Sequence, residues 1–171
     1  MVTLFGANFG PAAISTLALD SNNHVTTALA DTLLAFDNTL APMIYTIAGQ
    51  MSAVVPYNVA GKISVNVRLV YSGAASAPVP VSVSDTSPAL FTLNSSGSGP
   101  GAILNQDGSV NQADHPAAQG SVIVLYGTGL GVLSPLPKDG EVTSVTAMSP
   151  QKVKVTIGAP SSLTPARRLR L

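Results

Sequence analysis

Cysteine and tryptophan are absent from this 171-residue chain, and charged residues make up only 9% of it, aromatic residues 5%. Without Cys there is no disulfide, no zinc–thiolate site and no Cys nucleophile. So few Lys, Arg, Glu and Asp exclude a coiled coil and a charged disordered tail. Eight basic residues balance eight acidic ones, and that neutrality argues against a nucleic-acid partner, whose affinity comes largely from neutralised phosphates. The longest apolar runs, such as residues 121–125, fall far short of the ~20 residues that cross a bilayer. Met1 is followed at once by Val2-Thr3-Leu4-Phe5, so the chain as it stands is expected to be soluble and to carry no signal peptide.

What is present is turn and strand chemistry. Hydrophobic residues reach 46%, with 33 Ser and Thr, 15 Gly and 13 Pro, a mixture suited to short strands and frequent turns. Alternation of apolar and polar residues predicts strands at Ile63-Ser64-Val65-Asn66-Val67-Arg68-Leu69, at Val79-Pro80-Val81-Ser82-Val83 and at Val153-Lys154-Val155-Thr156-Ile157, and the β-branched run Val122-Ile123-Val124-Leu125 predicts another. Residues 26–34 show some helical spacing of Leu29, Leu33 and Leu34, but their continuation into Ala35-Phe36-Asp37 predicts a strand entered through a loop. Turn signals punctuate the chain at Gly10-Pro11, Asp37-Asn38, Ser72-Gly73, Asp107-Gly108 and Asp139-Gly140. The expected fold class is therefore all-β, a β-sandwich.

An internal repeat refines this. Leu4-Phe5-Gly6-Ala7-Asn8-Phe9-Gly10 returns as Leu125-Tyr126-Gly127-Thr128-Gly129-Leu130-Gly131, and the same offset of about 121 residues sets Leu34-Ala35-Phe36 on Val155-Thr156-Ile157. Its glycines are expected to end a strand and close the following turn. At this offset Leu171 matches Gln50, so everything that residues 51–88 supply to the first copy is missing from the second. The organisation that follows is tandem modules: a first over residues 1–92, a flexible Gly/Ser linker over 93–101, and a hairpin plus an incomplete second module over 102–171. An incomplete module leaves an apolar face and bare strand edges. Arg167, Arg168 and Arg170 hold three of the eight basic residues, and this basic end reads as a truncated or frame-shifted continuation rather than a recognition tail.

The order of Phe5-Gly6-Ala7-Asn8-Phe9-Gly10-Pro11, Ala41-Pro42-Met43-Ile44-Tyr45, Val55-Pro56-Tyr57, Ser87-Pro88-Ala89-Leu90-Phe91-Thr92, Ile103-Leu104-Asn105-Gln106-Asp107-Gly108-Ser109 and Tyr126-Gly127-Thr128-Gly129-Leu130-Gly131 resembles the C-terminal domain family of secreted acidobacterial proteins, which is built from immunoglobulin-like modules similar to IPT/TIG domains. The resemblance covers residues 2–158. It implies tandem immunoglobulin-like sandwiches, an extracellular or cell-surface setting and upstream domains in a larger protein, and it implies no catalytic residue.

Candidate chemistry is confined to one stretch. His24 and His115 are the two histidines, and Asp114 beside His115 could orient an imidazole as a general base. Neighbours on an extended segment point to opposite sides, so a solvated His is the plainer reading of both. Asn105, Asp107, Gly108, Asn111 and Asp114 fall on EF-hand-like loop positions, but Ile103 stands at the first of these and no helices flank it. A looser calcium site using Asn105, Asp107, Asn111 and Asp114 is the alternative to a plain hairpin. The first expectation is a non-catalytic module for adhesion, glycan contact or spacing, with no cofactor required. Its rivals are a calcium-assisted hydrolase of a small ester or lactone using the stretch from Asn105 to His115, with His115 and Asp114 catalytic, and a self-assembling subunit that joins another copy through the open second module.

Overall fold

The structure is a computed structural model describing residues 1–142 and 146–157. Its strands in chain order are β1 Val2–Phe5, β2 Ser15–Thr16, β3 Ala28–Leu29, β4 Thr32–Phe36, β5 Thr39–Leu40, β6 Met43–Ile47, β7 Gln50–Ala53, β8 Ser64–Tyr71, β9 Ala74–Ala75, β10 Val79–Ser82, β11 Ala89–Leu90, β12 Ile103–Leu104, β13 Val124–Leu125 and β14 Gly127–Thr128. All pairings among them are antiparallel. The fold is all-β, as the alternating pattern predicts. No helix among the described residues is long and apolar enough to cross a membrane.

Strands β1 to β10 build two sheets. One has the order β1-β7-β6-β2, the other β10-β8-β4-β3 with β5 added to β4 and β9 to β8. Strand periodicity sends Thr32, Leu34 and Phe36 of β4 and Val65 and Val67 of β8 to the same side, where they meet Met43, Met51 and Ala53 of the first sheet in one core. Leu34, Met43 and Met51 are fully buried, and each such side chain stabilises the fold by about 1.5–3 kcal/mol. Parity in β6 is broken by a bulge between Met43 and Tyr45. The extra residue lets both Met43 and Thr46 turn inward although they lie an odd number of residues apart. Thr46 thereby reaches Thr32 of the opposite sheet, hydroxyl to hydroxyl at 3.3 Å, and both hydroxyls lie within hydrogen-bond reach of the Phe9 carbonyl.

Three hairpins set the register of the second sheet. Ser72-Gly73 and Asp37-Asn38 lie where turns are expected, with Ser72, Gly73 and Asp37 in the left-handed region. The third is unannounced by its residues: Ala30 and Asp31 both take positive φ, 46° and 56°, between Leu29 and Thr32. Two left-handed residues between paired strands are the geometry of the tight hairpin turn that matches strand twist. The strand expected after a loop is thus a hairpin of β3 and β4.

The rest of the described chain is built differently. Here β11 pairs with β14 and β12 with β13, each over two residues. Among described residues beyond Val83, only Asn105 is buried. The Gly/Ser run closes into a loop: Thr92 bridges Gly101, and Leu93 N donates to Pro100 O at 3.0 Å. Two expectations are corrected. Val153–Ile157 is not a strand, and of residues 122–125 only Val124–Leu125 pairs. A strand without a neighbour has nowhere to place its backbone hydrogen bonds, and alternation alone does not supply the neighbour. Asn8 and its counterpart at the sequence offset, Gly129, both have positive φ, 59° and 81°, but Gly6 follows β1 whereas Gly127 begins β14. Gly6 and Gly10 are needed for space rather than for their dihedrals, since a Cβ on them would run into the Phe9 ring and the Thr46 hydroxyl. The basic end, residues 165–171, lies outside the described residues.

Candidate functional site

Sequence reasoning centres on the segment from Asn105 to His115, and folding gathers most of its polar residues around one hairpin loop. Asn105 N donates to Ser109 O at 2.8 Å and Gly108 N to Asn105 O at 3.0 Å, with Gly108 at φ 84°. The loop therefore holds three residues, Gln106, Asp107 and Gly108, rather than the two that Asp-Gly suggests, and the left-handed glycine ends it. Asn105 is the pivot at 7% exposure. Its Nδ2 donates to Ser109 Oγ and to the His115 carbonyl, both at 3.0 Å, and its Oδ1 accepts from Asn111 Nδ2 at 2.7 Å.

Asp107 is exposed and tied to its own turn. Its Oδ1 accepts from Ser109 N at 3.0 Å and from Ser109 Oγ at 2.6 Å, and its Oδ2 lies 3.8 Å from His115 Nε2. The Ser109 hydroxyl, then the Ser109 N–H, and more weakly His115 hold the carboxyl below the usual carboxylate range. Asp114 does not join this group. Gln112 and His115 bond to each other's backbone, which sets Ala113 and Asp114 at the tip of a separate turn. The residue beside His115 in sequence is thus not its partner in space, whereas Asp107, eight positions away, is. An open hollow of about 420 Å³ lies alongside, lined by Asn105, Gln106, Asp107, His115, Pro116 and Ser121 among others.

Two consequences for chemistry follow. The Ser109 hydroxyl is directed at the Asp107 carboxylate and not at an imidazole, so the Ser–His pairing of a hydrolase nucleophile is not formed there. Calcium takes six to eight oxygen ligands, and no group of three or more His, Asp or Glu that could hold a metal occurs among the described residues. Of the four residues considered for a metal, Asn105, Asp107 and Asn111 share the hairpin and Asp114 stands on its own turn.

His24 has a different setting. Asp20 Oδ1 accepts from the backbone of Asn22 and His24, which folds a small loop, and the His24 backbone bridges Glu141. His24 is half-buried there.

A second polar hollow escaped sequence reasoning because its residues come from three separate segments. It lies on the outer side of the second sheet, spans about 580 Å³ and is lined by Asp37, Asn38, Lys62, Asn66, Arg68 and Pro78. Lys62 Nζ reaches Asp37 Oδ2 at 2.8 Å, while Asp37 Oδ1 accepts from Asn66 N at 2.9 Å. Lys62 first and the Asn66 N–H second keep the Asp37 carboxyl below the usual range. The outward parity of Asn66 and Arg68 on β8 was legible in the alternating pattern; their proximity to the Asp37 turn was not. Comparisons with protein-family models, with curated proteins and with solved structures find no significant match.

Proposed function

We propose that the chain is a non-catalytic, immunoglobulin-like module of a secreted or cell-surface protein, serving adhesion, glycan contact or spacing. The observation that carries this reading is the employment of its carboxylates. Asp20, Asp37 and Asp107 each accept backbone N–H groups and hold a turn or a strand junction in place, which is architectural work. The test is an assay of ester and lactone hydrolysis with calcium and with a chelator, run beside His115→Ala and Asp107→Ala. We expect no turnover. Calcium-dependent turnover that both substitutions abolish would replace this reading with the hydrolase, which has the pairing of His115 with Asp107 in its favour.

Self-association is a second reading, supported by the apolar side chains left in solvent beyond the sandwich. Val122, Leu136 and Met148 are 60% or more exposed, and Leu90 and Tyr126 about half. Where such side chains adjoin one another they make a patch that a covering partner would bury. Light scattering across a concentration series checks it: growth toward a dimer supports assembly, and a strict monomer removes it.

A further inference from the structure

We propose that the hollow on the outer side of the second sheet is a binding site for an acidic saccharide, whose uronate carboxylate docks on Arg68 while its hydroxyls engage Asn38 and Asn66. The proposal rests on the binding-module reading and gives it a ligand class. The hollow is open to solvent, with a volume of about 580 Å³, which is room for a small ligand bound at a surface rather than enclosed in a cleft. The named lining holds two amides, a carboxylate, an ammonium and a guanidinium, with Pro78 as the apolar contribution. Such a wall has little apolar surface for an aliphatic ligand and offers donors and acceptors in the mixture that sugar hydroxyls use.

Charge selects the acidic member of that class. Lys62 is neutralised by Asp37 at 2.8 Å. Arg68 has no carboxylate within 4.0 Å among the described residues, so its guanidinium is the charge left for a ligand. A guanidinium presents a planar fork that pairs with a carboxylate through two parallel hydrogen bonds. The frame around it is preorganised. Asp37 N donates to Asn66 O at 2.7 Å and Asp37 Oδ1 accepts from Asn66 N at 2.9 Å, which clamps the β4–β5 turn to β8. Asn66 and Arg68 stand two residues apart on β8 and so share its outward face. The backbone that carries the site is therefore ordered before a ligand arrives, and the exposed Arg68 side chain is what binding has to order.

The test is calorimetric titration of the full chain with an oligogalacturonide, with a neutral galactan oligomer and with inorganic phosphate. Arg68→Gln is compared with Lys152→Gln, which removes the same charge at an exposed position elsewhere. We expect the oligogalacturonide to bind, the neutral oligomer to bind about tenfold more weakly or not at all, and Arg68→Gln but not Lys152→Gln to reduce affinity about tenfold. Thermal unfolding of both variants confirms that the fold is kept. Equal weakening by the two substitutions, or phosphate binding as tightly as the oligogalacturonide, overturns the site. Neutral oligomers bound without regard to Arg68 would also overturn it while sparing the wider reading, and hydrolytic turnover would strike that reading instead.

Discussion

Asn105 shows how much can depend on one amide. It is the one buried residue among those described beyond Val83, and its side chain makes three hydrogen bonds, with Ser109 and Asn111 inside the hairpin and with the His115 carbonyl beyond it. Replacing it by Ala leaves partners unpaired in a region whose described residues form no apolar core to compensate. Asn105→Ala should cost about 2 kcal/mol, read as a lower urea midpoint, with Asn105→Asp intermediate because it keeps the acceptor. Gly129 makes a complementary case. At φ 81° its Cα faces the Ser87 carbonyl, so Gly129→Ala faces both strain and collision and should unpair β11 from β14, seen as faster amide exchange at Ser87 and Phe91. The glycines of the repeat were legible as residues needing special backbone or space. Asn105 was legible only as a candidate ligand, because burial of an amide leaves no mark in composition or spacing.

At the scale of elements, β3 and β4 are joined by two left-handed residues, neither of which is glycine. Ala is poorly suited to positive φ. Substituting Ala30→Asn with Asp31→Gly installs the dipeptide this turn prefers, and the protein should gain about 1 kcal/mol in denaturant unfolding without change of sheet register. A loss of stability would mean that the native side chains do something the backbone geometry does not reveal. β8 was readable from alternation because Val65 and Val67 obey one parity, whereas β4, with Leu33 and Ala35 between the inward Leu34 and Phe36, was read as a strand only from its continuation into Ala35-Phe36-Asp37. The Ala30-Asp31 turn was not readable, since Ala30 has no turn preference and Asp31 with no Gly beside it does not mark a hairpin. Val153–Ile157 failed for the converse reason: its alternation is as clean as that of β8, yet pairing is a property of two segments.

At the scale of the whole molecule, three carboxylates far apart in the chain act in one direction. Asp20, Asp37 and Asp107 all sit below the usual carboxylate range, held there chiefly by backbone N–H groups of His24 and Asn22, by Lys62, and by Ser109 respectively. A carboxyl depressed in the folded state contributes stability that is present above its unfolded value and lost as pH falls through the folded one. The urea midpoint should therefore be flat from neutral pH down to about 5 and fall below about 4. Asp37→Asn with Asp107→Asn should be less stable near neutrality and should shallow that fall; an unchanged acid limb would show that other groups govern it.

The loop at residues 94–99 stands exposed, yet the chain on either side of it is tied together at several points. β11 pairs with β14, Ser87 N donates to Gly129 O, Val25 N to Gly140 O, and Tyr57 N to Asp139 Oδ1. A protease that cuts this loop would therefore not divide the protein in practice. The nicked product should run as one species in native gel filtration and as two bands under denaturing conditions. The distal fragment, whose described residues form no apolar core, would then be a ligand of the sandwich rather than a domain beside it: a piece that takes its shape from the surface on which it lies.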